Sequence, residues 1–213
     1  MNISNSTEWY YNQRLNGYED PYVVTHLYTD EIESDSVFVE IGSDRFVGST
    51  EYYAKLAEQY GTVLHSVDIV TKAQERIKHQ NIIWHTAIGS EWAKNVYPTI
   101  GKKISVLFLD NYDYIWDADT KEKQNSNTSC QLEHFTQLYH LYPWLTEDCT
   151  IVLDDTFMYN GCWVGKSGAS VIFLLSQGFE IVWEADFATS MSCGYTTSGV
   201  VMKPKKLKLK EKS

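Results

Sequence analysis

The chain of 213 residues is long enough to bury the core of one α/β domain, and its formal net charge is −10. Residues 203–213, KPKKLKLKEKS, hold six lysines and one glutamate, which leaves 12 basic and 27 acidic side chains in residues 1–202; a body this acidic argues against a nucleic-acid partner. No run approaches the length of a membrane span, MNISNSTEWY lacks the regions of a signal peptide, so that a cytoplasmic location is expected, and the scattered Cys130, Cys149, Cys162 and Cys193 form neither a zinc nor a disulfide pattern.

Three segments are expected: an N-terminal helix and cap over 1–35, one domain over 36–202, and a flexible lysine-rich tail over 203–213. Residues 7–15 read as a short helix ended by Asn16-Gly17, and the aromatic, acidic stretch 18–35 reads as packing over the sheet edge, with a place across the ligand opening as its alternative. The organising stretch follows at 37–50, VFVEIGSDRFVGST. An apolar β-branched run without alternation suits a central parallel strand, and Gly42 marks a turn that feeds a helix over 51–60 with Gly61 as its stop. The next strand, TVLHSVD, ends in Asp68, at the strand tip where an acid meets the hydroxyls of a ribose. A helix over 71–79 and a third strand over 81–86 lead to the turn Ala87-Ile88-Gly89-Ser90 and a helix over 91–100.

EIGSDRFVGST followed by LHSVDI resembles the first two motifs of the class I S-adenosylmethionine-dependent methyltransferases. The resemblance implies a Rossmann-like, doubly wound α/β fold, with a mostly parallel seven-stranded sheet whose last strand is antiparallel. It also implies that Glu40, Gly42, Gly48 and Thr50 lie on the loop around the methionine end of S-adenosylmethionine, that Asp68 binds the ribose, and that Ser90 is an adenine-side contact. The pattern departs from the common form at Asp44, where the family has a second glycine, and the loop is about two residues longer.

Further along, the buried strand ISVLFL at 104–109 ends in Asp110, and 149–153 ends in Asp154-Asp155. In a parallel sheet these ends lie side by side, so the three carboxylates are expected to converge and to need a cation; oxygen ligands favour magnesium or another hard divalent metal. This constellation resembles the metal-dependent O-methyltransferases of the catechol and sugar types. That resemblance implies a metal on Asp110, Asp154 and Asp155, a small-molecule acceptor whose hydroxyl the metal activates, and a nearby general base. The catechol type has a lysine where this chain has Asp113, so Asp113 and His134 are the candidates for that base, each with an ordinary loop or structural role as its alternative.

Residues 117–130, DADTKEKQNSNTSC, have no apolar period and read as a surface loop or lid, before a helix over 131–142. A helix over 166–177 and strands over 179–184 and 198–202 complete the chain, and an apolar edge strand leaves a homo-oligomer open. Two competing readings remain. GCWVGKS at 161–167 is one residue short of a phosphate-binding loop, and the absence of GxGxxG weakens an NAD-dependent reading. A non-catalytic or nucleotide-binding α/β module with the same fold is the alternative to an enzyme.

Overall fold

The computed structural model describes residues 20–43, 48–115, 117–185 and 198–206. The expected helix over 7–15, part of the loop around Asp44 and the lysine-rich end from 207 lie outside them.

Strand β1 (Val37–Ile41) sits at the centre, and all five of its residues are buried. It pairs in parallel with β2 (Leu64–Asp68) on one side and β4 (Ile104–Leu109) on the other, while β2 carries β3 (Ile82–Thr86). β5 (Leu145–Asp154) continues the parallel series, and β9 (Gly199–Pro204) and β8 (Phe179–Glu184) close the far edge, β9 antiparallel to both neighbours. The order is β3-β2-β1-β4-β5-β9-β8, the expected seven-stranded sheet. β9 runs on past Met202 through Pro204, so the boundary expected at 203 falls inside a strand.

Helices cover both faces. On one side α1 (Ser49–Gln59) and the short α2 (Lys72–Arg76) bury Tyr53, Ala54, Leu56 and Ala73 against Phe38, Val106 and Phe108. Tyr22 and Val24 join this layer, so the stretch over 20–35, with its 3₁₀ turn at Thr25–Leu27, packs on the face of the central strands rather than on the sheet edge. On the other side stand α3 (Gly89–Glu91), a π-helical turn (Trp92–Val96), α4 (Tyr97–Ile100), α5 (Lys121–Leu141) and α6 (Gly168–Ser176). Trp92, Tyr97, Leu138, Leu141, Val171 and Leu174 fill the space between them and the sheet. Each buried leucine there contributes roughly 2 kcal/mol by removal from water. Among the described residues no helix is long and apolar enough to cross a membrane.

Two elements differ from expectation. The stretch expected as a lid over 117–130 is largely the first half of α5, a helix of 21 residues. Its polar surface hides the periodicity: Asn127 and Cys130 are its only buried side chains in the first three turns. Thr120 caps the helix by accepting from the Lys123 N–H, and the Asn127 amide bonds both the N–H and the C=O of Ile115, which moors the helix to the preceding loop. The second difference is a small antiparallel hairpin, β6 (Thr156–Tyr159) and β7 (Cys162–Gly165), inserted between β5 and α6. It turns through Asn160 and Gly161, both at positive φ.

Candidate functional site

Strand register decides what the site contains. Ile41 pairs with Val67 and Leu109, and Leu109 with Leu153, so Gly42, Asp68, Asp110 and Asp154 emerge along one edge of the sheet. The order changes direction here, with β1 between β2 and β4, and the crevice outside the strand ends is where open α/β sheets bind ligands. Gly42 has a φ of 99°, and a side chain on it would overlap the backbone of Asp110 and Asn111. Only glycine allows β1 and β4 to end so close together.

Glu40 is fully buried, and its carboxylate accepts from the hydroxyls of Ser49 (3.0 Å), Thr50 (2.7 Å) and Ser66 (2.7 Å). It therefore sits at the first turn of α1, just past Gly48, which enters the helix at a φ of 99°. A negative side chain suits the positive end of a helix dipole. It also fills the position that holds the pyrophosphate in dinucleotide-binding sheets, and it would repel a phosphate. Asp68 closes the neighbouring turn, accepting from the Ser43 N–H at 3.0 Å and the Val70 N–H at 2.9 Å, and it faces a cavity of about 560 Å³.

That cavity is bounded by Ile69 and Ile88, 66 % and 55 % exposed, and by Asn111, Asp113 and Glu133. Large apolar side chains left open around a cleft are what a flat aromatic ligand covers. Among the described residues the Asn111 Oδ1 atom is buried without a hydrogen-bond donor, an acceptor that a ligand is able to satisfy. The Ser90 N–H donates to Glu133 Oε1 at 2.8 Å, and Gln137 holds the same oxygen at 2.9 Å. Glu133 thus stands in front of the Ser90 amide that the sequence placed on the adenine side.

The three acids also come together as the sequence predicted. Asp110, Asp154 and Asp155 each offer an oxygen within 4.8 Å of the others. The cation between them, however, belongs to the chain. Lys166 Nζ lies 2.6 Å from Asp110 Oδ1 and 2.9 Å from Asp155 Oδ2, with the side chain almost wholly buried. Burial disfavours its charge, but the Asp110, Asp155 and Asp154 carboxylates outweigh that and hold the ammonium well above the ordinary lysine value. Burial, then the Asp110 and Asp155 charges, pushes Asp154 far above the carboxylate range. Asp155 is raised for the same first reason, against the pull of Lys166. The repulsion that called for a divalent metal is eased here by the Lys166 ammonium and by the raised pKa of Asp154 and Asp155.

The sequence reading placed Lys166 at the head of a helix. The hairpin explains its position: β6 and β7 bring residue 166 back beside residue 155, where the Lys166 N–H donates to the Asp155 carbonyl at 2.9 Å. Gly165, at a φ of 89°, allows the approach, since any side chain there would overlap Asp155. Asn160-Gly161 between two four-residue arms was the signal that would have found it. The GCWVGKS stretch is therefore a hairpin arm and an ion pair, with no phosphate loop.

His134 corrects the expectation of a histidine base. It is fully buried, its Nδ1 accepting from the Ser167 hydroxyl at 2.7 Å and its Nε2 donating to the Asn111 carbonyl at 2.5 Å. Burial lowers its pKa to about 4, and neither nitrogen is left for a substrate. Asp113 is exposed on the cavity wall. Asp20, unremarked in the sequence, is pushed up to about 7 by burial and then by Asp110 and Asp155.

No protein-family profile matches the chain, and no curated protein matches it by sequence. Solved structures do. A methyltransferase homolog from Pyrococcus horikoshii superposes with a TM-score of 0.55 at 12 % identity over 86 % of this chain, which spans 65 % of the length of that protein. A protein from Corynebacterium glutamicum superposes with a TM-score of 0.53 at 8 % identity, over 97 % of this chain and 93 % of its own. With the strand order, these similarities define the fold as that of the class I methyltransferases.

Proposed function

We propose that the protein transfers a methyl group from S-adenosylmethionine to a hydroxyl of a small molecule, such as a sugar or a phenol. The observation that carries this reading is the cavity at the ends of β1, β2 and β4, with its carboxylate, its open apolar walls and the orphaned Asn111 oxygen. Asp68 is assigned to the ribose hydroxyls, Ile69 and Ile88 to the faces of the adenine, Glu133 to its exocyclic amine, and Asn111 to the ammonium of the methionine end. Glu40, Thr50 and Gly48 shape the loop rather than touch the ligand, because the Glu40 oxygens are held by hydroxyls of the chain itself.

Bound there, S-adenosylmethionine supplies a methyl group on a sulfonium sulfur, open to in-line attack. The protein's part is to orient the acceptor oxygen and to take its proton. We assign the proton to Asp113, the exposed carboxylate on the cavity wall two residues beyond Asn111. An acidic body favours a small acceptor over a nucleic acid. Magnesium, which the catechol-type resemblance implies, takes no part in this account, because Lys166 fills the place between the acids.

The alternative of a nucleotide-binding module conflicts with Glu40 at the start of α1. Thermal unfolding with a small panel separates the two. S-adenosylmethionine and S-adenosylhomocysteine are expected to raise the melting temperature saturably, by the equivalent of ~2.7 kcal/mol at a hundredfold excess over Kd. ATP and NAD are expected to leave it unchanged; stabilisation by either of these alone would overturn the proposal.

A further inference from the structure

We infer that Lys166 is a built-in cation that replaces a divalent metal among Asp110, Asp154 and Asp155, so that this site works without metal. Its use in methyl transfer rests on the function proposed above, whereas its geometry does not.

The ammonium is held on all sides. Its three hydrogens have acceptors in Asp110 Oδ1 at 2.6 Å, Asp155 Oδ2 at 2.9 Å and, more weakly, the Asp110 carbonyl at 3.3 Å. The residue is 5 % exposed, so the ammonium has little contact with water. Its backbone is pinned through Asp155, and the next residue is pinned twice, the Ser167 N–H donating to Thr156 Oγ1 at 3.1 Å and its hydroxyl donating to His134. A magnesium ion binds carboxylate oxygens at about 2.0–2.1 Å, which at the two oxygens Lys166 already holds would bring it against Nζ. Two positive charges so placed repel strongly.

The lysine also does what a metal would do for these acids. It fixes one oxygen each of Asp110 and Asp155. Lys166 is therefore a positioning residue: its donors are already engaged by two carboxylates and the Asp110 carbonyl. A fixed ammonium with its hydrogens already engaged takes no proton from a hydroxyl, which leaves that step to a carboxylate, in keeping with the role given to Asp113.

The test is a Mn²⁺ titration of the full chain followed by electron paramagnetic resonance, which reads free against bound ion. Wild type and Lys166→Arg, which keeps the charge, are expected to bind no Mn²⁺ up to about 1 mM. Lys166→Gln is expected to gain one site, at least ~10-fold tighter than any residual wild-type binding, and to lose it again when Asp154→Asn is added. One Mn²⁺ bound by wild type and abolished by Asp154→Asn would overturn the inference, as would a folded Lys166→Gln that gains no site. Should Lys166→Gln not fold, the wild-type and Lys166→Arg titrations decide alone. S-adenosylmethionine binding with and without EDTA, measured on the same samples, reports on the methyltransferase reading separately.

Discussion

A buried carboxylate titrates late, and Asp20, raised first by burial and then by the Asp110 and Asp155 charges, carries that effect into the neutral range. Its folded value of about 7 lies above the ordinary 3.8, so the stability it contributes is fully present below 3.8 and is lost as pH rises through about 7. His65 and His134 act with the opposite sign. Burial lowers both to about 4 from 6.5, so their contribution is present above 6.5 and is lost as pH falls through about 4. The two sets oppose each other between about 4 and 6.5, and wild-type stability alone does not separate them. Asp20→Asn does: it is expected to raise the melting temperature at pH 8 by at least roughly 2–4 °C and to change it little at pH 4. Melting followed by circular dichroism at both values checks this, and an equal shift at both would show that burial does not hold Asp20 neutral. Glu40, Gly42, Asp68 and the three aspartates were legible in the sequence because each sits at a strand end, where a short pattern fixes position. Asn111, Glu133, Asp20 and Lys166 were not, because their roles depend on which distant elements meet there.

Among the elements, the β6–β7 hairpin has the largest consequence for its size, since eight residues in two short strands and one turn deliver Lys166 to the acids. Its two glycines are constrained differently. Gly161, at a φ of 77°, has nothing near the place of a side chain, so Gly161→Val is expected to cost only the conformational strain, about 1–2 kcal/mol. Gly165 also faces the Asp155 carbonyl, so Gly165→Ala is expected to cost clearly more, despite the smaller side chain. Urea unfolding of both variants tests the ranking, and a reversed order would mean that the hairpin does not close against Asp155. The hairpin was hidden by its resemblance to a phosphate loop. The first half of α5 was hidden for another reason: a helix moored by one asparagine and capped by one threonine needs no apolar stripe over those turns, and periodicity has nothing to detect.

Over the whole molecule, sequence patterns carried the sheet well, because parallel strands covered on both faces are continuous apolar runs and each stands out from its helix. The antiparallel closing pair followed from the resemblance alone. The switch point sets where a ligand is expected: β1 meets β2 and β4 with Gly42 between them, Glu40 sits at the start of α1, and a cavity opens beside Asp68. The central claim is that this cavity binds S-adenosylmethionine through Asp68. Isothermal titration of S-adenosylmethionine into wild type and Asp68→Ala tests it most directly. One saturable site in wild type, weakened at least ~10-fold in the variant by the loss of charged hydrogen bonds, is the predicted result. Absence of binding to wild type, or equal affinity in the variant, would contradict it.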